Sequence, residues 1–110
     1  MSLLKIDVEN AKVHFGSFKP VEAEEGSEDY NGNVIIHYWY MFKNGYGASV
    51  IRNDFSYGGG LGLFEVAVID SEYEICYDTP VTCDVIGYLN EDEVTETLKE
   101  IEALPPRKDE

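Results

Sequence analysis

The stretch Val34-Ile35-Ile36-His37-Tyr38-Trp39-Tyr40-Met41-Phe42-Lys43-Asn44-Gly45-Tyr46-Gly47-Ala48-Ser49-Val50-Ile51-Arg52-Asn53 places two apolar and aromatic runs on either side of an Asn-Gly pair. Asn-Gly tolerates positive φ at both positions, which is what a two-residue hairpin turn requires. The reading is therefore a pair of antiparallel strands at 34–43 and 46–53. That loop length sets Lys43 opposite Tyr46, Met41 opposite Ala48, Trp39 opposite Val50 and His37 opposite Arg52.

Downstream, Gly58, Gly59, Gly60 and Gly62 mark a flexible connection at 54–62, and the Val- and Phe-rich run at 63–69 reads as a third strand. Asp70-Ser71-Glu72 is a turn signal. After it Tyr73, Ile75 and Tyr77 alternate with Glu74, Cys76 and Asp78, the pattern of an edge strand with one wet face. Asp78-Thr79-Pro80 interrupts the sheet, and 81–89 reads as an irregular turn or short helix. Asn90 then stands as an N-cap with Glu93 at the capping-box position and Leu89 and Val94 placed as a hydrophobic staple. Val94, Leu98 and Ile101 share one helical face, and Pro105-Pro106 ends the helix.

Upstream, the acidic stretch at 21–33 lacks periodicity and reads as a mobile loop, and 3–8 fits strand or helix equally. Val13, Phe15 and Phe18 suggest a short strand. The expected fold is α+β: an antiparallel β-meander of about four to five strands with one C-terminal helix packed on one face, in a single domain spanning 1–110 whose last residues, 105–110, fray.

Composition bounds the function. The chain carries 22 acids against 8 Lys and Arg, a formal charge of −14, with 44% hydrophobic residues. Such charge repels phosphate backbones, so direct nucleic-acid binding is not expected, whereas a basic protein surface is a fitting partner. The acids cluster: 31–64 contains Asp54 alone, against Lys43 and Arg52, so a nearly neutral aromatic centre lies between two acidic arms. The apolar run at 34–42 is interrupted by His37 and is too short to span a bilayer, so no membrane association is expected. The N-terminus lacks the uninterrupted apolar core of a secretory signal, and Cys76 and Cys83 are expected to be reduced thiols in a cytoplasmic protein.

The strand at 34–43 is apolar on both faces, while only one helix is available to cover it. In the register above, Val34, Ile36, Tyr38, Tyr40 and Phe42 share the helix-packed face with Ile51. The opposite face then gathers Ile35, His37, Trp39, Met41, Val50 and Arg52. His37, Trp39, Met41 and Arg52 form a candidate protein-contact patch, since aromatic residues, Met and Arg are enriched where partners bind. The competing reading has the N-terminal segment, with Leu3, Leu4, Ile6, Val13 and Phe15, covering that face. Glu93, Glu96 and Glu100 form a candidate acidic row on the helix that can imitate phosphate spacing; its plainer reading is a solvated outer face.

No enzymatic signature is present. The glycine run lacks a following Lys-Ser/Thr and precedes a strand, so no nucleotide site is expected. His14, His37, Cys76 and Cys83 have no zinc spacing, so no metal or cofactor is expected, and nothing in sequence activates either Cys as a nucleophile.

The segments 42–52, 62–68, 77–82 and 84–89, from Phe42-Lys43-Asn44-Gly45-Tyr46 to Asp84-Val85-Ile86-Gly87-Tyr88-Leu89, resemble small uncharacterised proteins of bacteriophages and prophages. The resemblance covers about half the chain and implies a small accessory protein inside a bacterial host cell, with no catalytic motif to carry over. By analogy with small acidic phage proteins, the leading expectation is a module that binds a host protein, with inhibition of a nucleic-acid-binding enzyme by acidic mimicry as its sharper form. The alternative is a structural or assembly protein that self-associates into a homo-oligomer through a sheet face or the edge strand at 73–77.

Overall fold

The computed structural model describes residues 3–28, 32–82 and 84–107. Six strands form one antiparallel sheet in simple meander order: β1 (Leu4–Ile6), β2 (Glu22–Glu28), β3 (Val34–Met41), β4 (Tyr46–Arg52), β5 (Phe64–Asp70) and β6 (Val85–Leu89). One helix, α1 (Glu91–Glu102), follows and packs on the β4, β5 and β6 side of the sheet. The α+β meander with a single C-terminal helix is as the sequence implies, with one strand more than expected.

Helix α1 begins where local chemistry places it. Asn90 Oδ1 accepts the Glu93 N–H at 2.8 Å, and Glu93 Oε1 accepts the Asn90 N–H at 2.9 Å, completing the capping box. Val94, Leu98 and Ile101 are fully buried, joined by Thr97, whose hydroxyl donates back to Glu93 O at 2.8 Å.

One strand not expected from the sequence is the acidic stretch read there as a loop. Glu22 to Glu28 pairs on both sides, with β1 and with β3. Its inward positions are a small residue, Ala23, and Glu25, which is only 8% exposed. Glu25 is tolerated inside because its Oε2 accepts the Lys12 N–H at 2.8 Å and the Tyr38 hydroxyl. Strand pairing on two edges overrides the poor intrinsic β-preference of Glu and Gly. Asp29, Tyr30 and Asn31, in the remainder of the expected loop, lie outside the described residues.

The β3–β4 hairpin differs by one residue from the expected register. The Phe42 N–H donates to Tyr46 O at 2.8 Å, so the loop is Lys43-Asn44-Gly45, with Gly45 at φ +87°. A three-residue loop ending in a left-handed glycine is the other common hairpin solution. It sets Tyr40 opposite Ala48, Tyr38 opposite Val50 and Ile36 opposite Arg52. Because side chains alternate, the slip moves Val50 and Arg52 to the helix-packed face and Ile51 to the other.

Asn44 explains the choice of turn. Its amide Nδ2 donates to the carbonyls of Ile101 (2.9 Å), Glu102 (3.2 Å) and Leu104 (3.0 Å) at the end of α1, and its Oδ1 accepts the Tyr46 N–H at 3.0 Å. The hairpin turn thus caps the helix C-terminus. In the tail expected to fray, Arg107 makes contacts with the fold: its N–H donates to Asn44 O at 3.1 Å, and its guanidinium reaches Asp70 (3.9 Å) and Cys76 Sγ (3.3 Å). Residues 108–110 lie outside the described set.

The N-terminal segment packs on the same face as α1, not the opposite one. Fully buried Phe15 meets Tyr38 and Tyr40 edge-on at 6.5 Å each and Phe64 at 5.0 Å, and Ala11 and Val13 join the same core. Of the two forms left open for residues 3–8 the structure adopts the strand, β1, and Asp7 then caps a 3-10 turn, Val8–Asn10. Phe15 and Phe18 form only an isolated bridge. Likewise 73–77 makes a single bridge, Ile69 to Ile75, and no strand, and Tyr73 sits at φ +69° in the turn that leads into it. The edge strands are β1 and, beside β5, β6, which lies in the segment expected to be a turn or short helix.

Candidate functional site

With α1 and the N-terminal segment both on the inner face, no helix or strand among the described residues lies across the outer one. Pairing aligns its side chains in rows. Lys5, Glu24, His37, Ile51 and Glu65 run across five strands; the next row is Glu22, Trp39, Ser49, Ala67 and Val85; a third is Met41, Gly47, Ile69 and Ile75. Ile35, Ala67 and Ile69 are buried, whereas His37, Trp39, Met41, Ser49 and Ile51 are half-buried.

At the centre His37 stacks on Trp39, ring centroids 3.7 Å apart and planes 22° from parallel. The His37 Nε2 shares a 2.8 Å hydrogen bond with Ser49 Oγ. Desolvation between the Trp39 ring and the sheet pushes His37 down to a pKa of about 4, so the imidazole is neutral at pH 7. A Ser–His contact with so weak a base is poorly suited to proton abstraction near neutrality. Tyr73 reaches the same patch, 6.5 Å from Trp39, from a tight turn in which Asp70 Oδ1 accepts the N–H groups of Glu72 and Glu74 at 2.8 and 3.0 Å. Gly47 lets Met41 lie flat: a Cβ there would come within 2.1 Å of Tyr40 O and 2.8 Å of Met41 Sδ.

Three of the four expected contact residues, His37, Trp39 and Met41, share this face, and Arg52 does not. Arg52 lies on the inner face, 7% exposed, its Nε and Nη2 donating to Val34 O at 3.2 and 2.9 Å and its Nη1 to Gly62 O at 3.3 Å. Its guanidinium also sits 4.6 Å above the Phe64 ring. The one-residue register change accounts for this placement. With His37 neutral and Arg52 inside, the expected cationic handles are absent from the patch, and Glu22, Glu24 and Glu65 border the aromatic centre, with Lys5 as the nearby base. Tyr73, Ser49 and Ile51 belong to the site but were not assigned to it from sequence. Ile51 and Ser49 follow once the turn is known to hold three residues, while nothing local signals Tyr73.

The helix acids do not form a free row. Glu93 is committed to the cap, and Glu96 pairs with Lys99 at 3.1 Å, leaving Glu100 exposed without an ion pair among the described residues. The glycine run is a hydrogen-bonded turn. Asn53 Oδ1 accepts the Phe55 and Ser56 N–H groups at 2.8 Å each, and Glu65 Oε1 accepts the Tyr57 N–H at 2.9 Å. A Cβ on Gly59 would meet Asn53 O at 1.8 Å. This turn displays Phe55, 95% exposed, beside Tyr57 and Tyr88.

Cys76 is a buried free thiol, its pKa raised by desolvation; Cys83 lies outside the described residues. Among the described residues no three His, Cys, Asp or Glu side chains group as metal ligands, and no helix is long and apolar enough to cross a membrane. No protein-family model, no curated protein and no solved structure matches this chain.

Proposed function

We propose that the chain is a protein-binding accessory module whose outer sheet face docks on a partner apolar at its centre and basic at its rim. The stacked His37–Trp39 pair, half-buried on a face with no covering element among the described residues, carries this reading. Aromatic and Met side chains supply contact area, and the border of Glu22, Glu24 and Glu65 with the −14 overall charge supplies complementarity and steering toward a basic surface. The nucleic-acid-binding face of a host enzyme is one such surface, and an acidic domain seated there would block it. The resemblance to phage proteins adds the bacterial cytoplasm as the setting. Binding, not catalysis, is the proposed activity.

The test compares wild-type chain with Trp39→Ala in retention of basic proteins at low and high salt. Retention of a specific partner that is lost at high salt and weakened about 10-fold or more by Trp39→Ala supports the reading. Retention indifferent to Trp39 sinks it. A discrete oligomer that persists at high salt and dissolves on Trp39→Ala would favour self-association through this face instead. Pairing along the β6 edge is disfavoured by its register break between Phe64 and Val66 and by Tyr88 at φ +61°.

A further inference from the structure

The end of the inner face remote from α1 opens into a cavity of about 690 Å³, lined by Leu4 and Ile6 of β1, Glu25 of β2, and Asp7, Asn10 and Lys12 of the crossing segment. Leu4 is 70% exposed there, an apolar side chain with nothing laid over it among the described residues. Glu25 as a residue is 8% exposed and lines this cavity, and both of its hydrogen bonds, from Lys12 N–H and the Tyr38 hydroxyl, go to Oε2. Among the described residues no donor reaches Oε1. Asp7 uses Oδ1 to accept the Glu9 N–H at 3.1 Å, which leaves its other oxygen available. The Lys12 side chain is exposed and pairs with neither carboxylate among the described residues.

The second Glu25 carboxylate oxygen takes its donor from whatever occupies the cavity, and a charged donor there is bound more strongly than a neutral one. We propose that this cavity is a socket for one arginine side chain of a basic protein partner. The aliphatic stem lies along Leu4 and Ile6, and the guanidinium donates to Glu25 Oε1 and Asp7. Guanidinium suits the position better than ammonium because it is more weakly hydrated and presents several donors in a fixed plane. Two carboxylates against one lysine, in a chain of net charge −14, set the sign of the ligand. The inference rests on the basic-partner reading above but uses a different surface from the outer face.

The experiment titrates the full chain with N-acetyl-arginine amide and follows backbone amide resonances, with the lysine and norleucine amides as comparisons. Saturable shifts at Lys12, Glu25 and Gly26 are expected, strongest for arginine and absent for norleucine. Glu25→Gln keeps an oxygen for Lys12 N–H and Tyr38 yet removes the charge, and should weaken binding about 10-fold or more. Asp7→Asn keeps the turn-capping oxygen and provides an independent loss should Glu25→Gln disturb the fold. Trp39→Ala should leave the shifts unchanged, so failure of the socket and failure of the outer-face reading are separable. Equal shifts with norleucine, no saturable shift, full binding by both variants, or tighter binding of lysine than arginine would overturn the proposal.

Discussion

Replacing Asn44 by Ala should destabilise the fold far more than a surface turn substitution does. An amide nitrogen has two hydrogens, so the three carbonyls within 3.2 Å of Nδ2, on Ile101, Glu102 and Leu104, share two donors. Two net hydrogen bonds at about 1 kcal/mol each, with a further bond of about 1 kcal/mol from Tyr46 N–H to Oδ1, give about 3 kcal/mol. Water reaching the exposed Glu102 carbonyl offsets part of this, so the expected loss is about 2–3 kcal/mol. For a chain of 110 residues that corresponds to a melting temperature lower by about 8–12 °C. Urea denaturation followed by circular dichroism measures the loss, and amide hydrogen exchange at residues 98–104 shows whether the helix end opens first. Asn44→Asp is the informative partner: it retains an acceptor for Tyr46 N–H but sets a carboxylate against the carbonyl end of the helix dipole. It should be at least as destabilising as Ala at neutral pH and recover toward the Ala value as the carboxylate protonates. A loss below about 0.5 kcal/mol for Asn44→Ala, or an Asp variant as stable as wild type, would refute the cap.

Phe15→Ala should cost about 3–5 kcal/mol in urea denaturation, since it removes a ring in contact with Tyr38, Tyr40 and Phe64. A near-neutral result would remove the N-terminal segment from the core. Arg52→Ala should cost about 2–4 kcal/mol by leaving Val34 O and Gly62 O without this donor and emptying the space above Phe64. Its effect should appear as lost stability, not as altered docking at an intact outer face. His37 has a folded pKa of about 4, below the 6.5 of the unfolded chain, so the unfolded state binds the extra proton between these values. Stability from neutral His37 is therefore complete above about pH 6.5 and falls as pH drops toward 4, and His37→Gln should flatten that limb relative to wild type. Identical pH profiles of the two proteins between pH 4 and 6.5 would contradict the buried, neutral imidazole.

Features held by neighbours in sequence were legible from the residues. The capping box of Asn90 and Glu93, the face of Val94, Leu98 and Ile101, and the placing of a turn at Asn44-Gly45 each depend on groups within a few positions of one another. Helix hydrogen bonds and turn dihedrals are local in this way, so composition and spacing specify them. The patch was partly legible too: His37, Trp39 and Met41 alternate along one strand, and period-two geometry places them on one face whatever the partner strand does.

Tertiary structure decided what depends on distant partners. Whether Asn44 takes a left-handed turn position or turns its amide to the end of α1 depends on carbonyls 57 to 60 residues away. That choice lengthens the loop by one residue and sends Arg52 into the core. Glu22 to Glu28 becomes a strand because β1 and β3 offer hydrogen bonds on both sides, and Glu25 is held inside by Lys12 N–H and Tyr38. Phe15 could have covered either face; the aromatic cluster of Tyr38, Tyr40 and Phe64 claimed it for the inner one. By itself the sequence determined the capped helix, the central hairpin and the excess of acid. Which face of the sheet stays open was settled only by long-range packing, because a strand's two faces are distinguished by what lies against them and not by the strand.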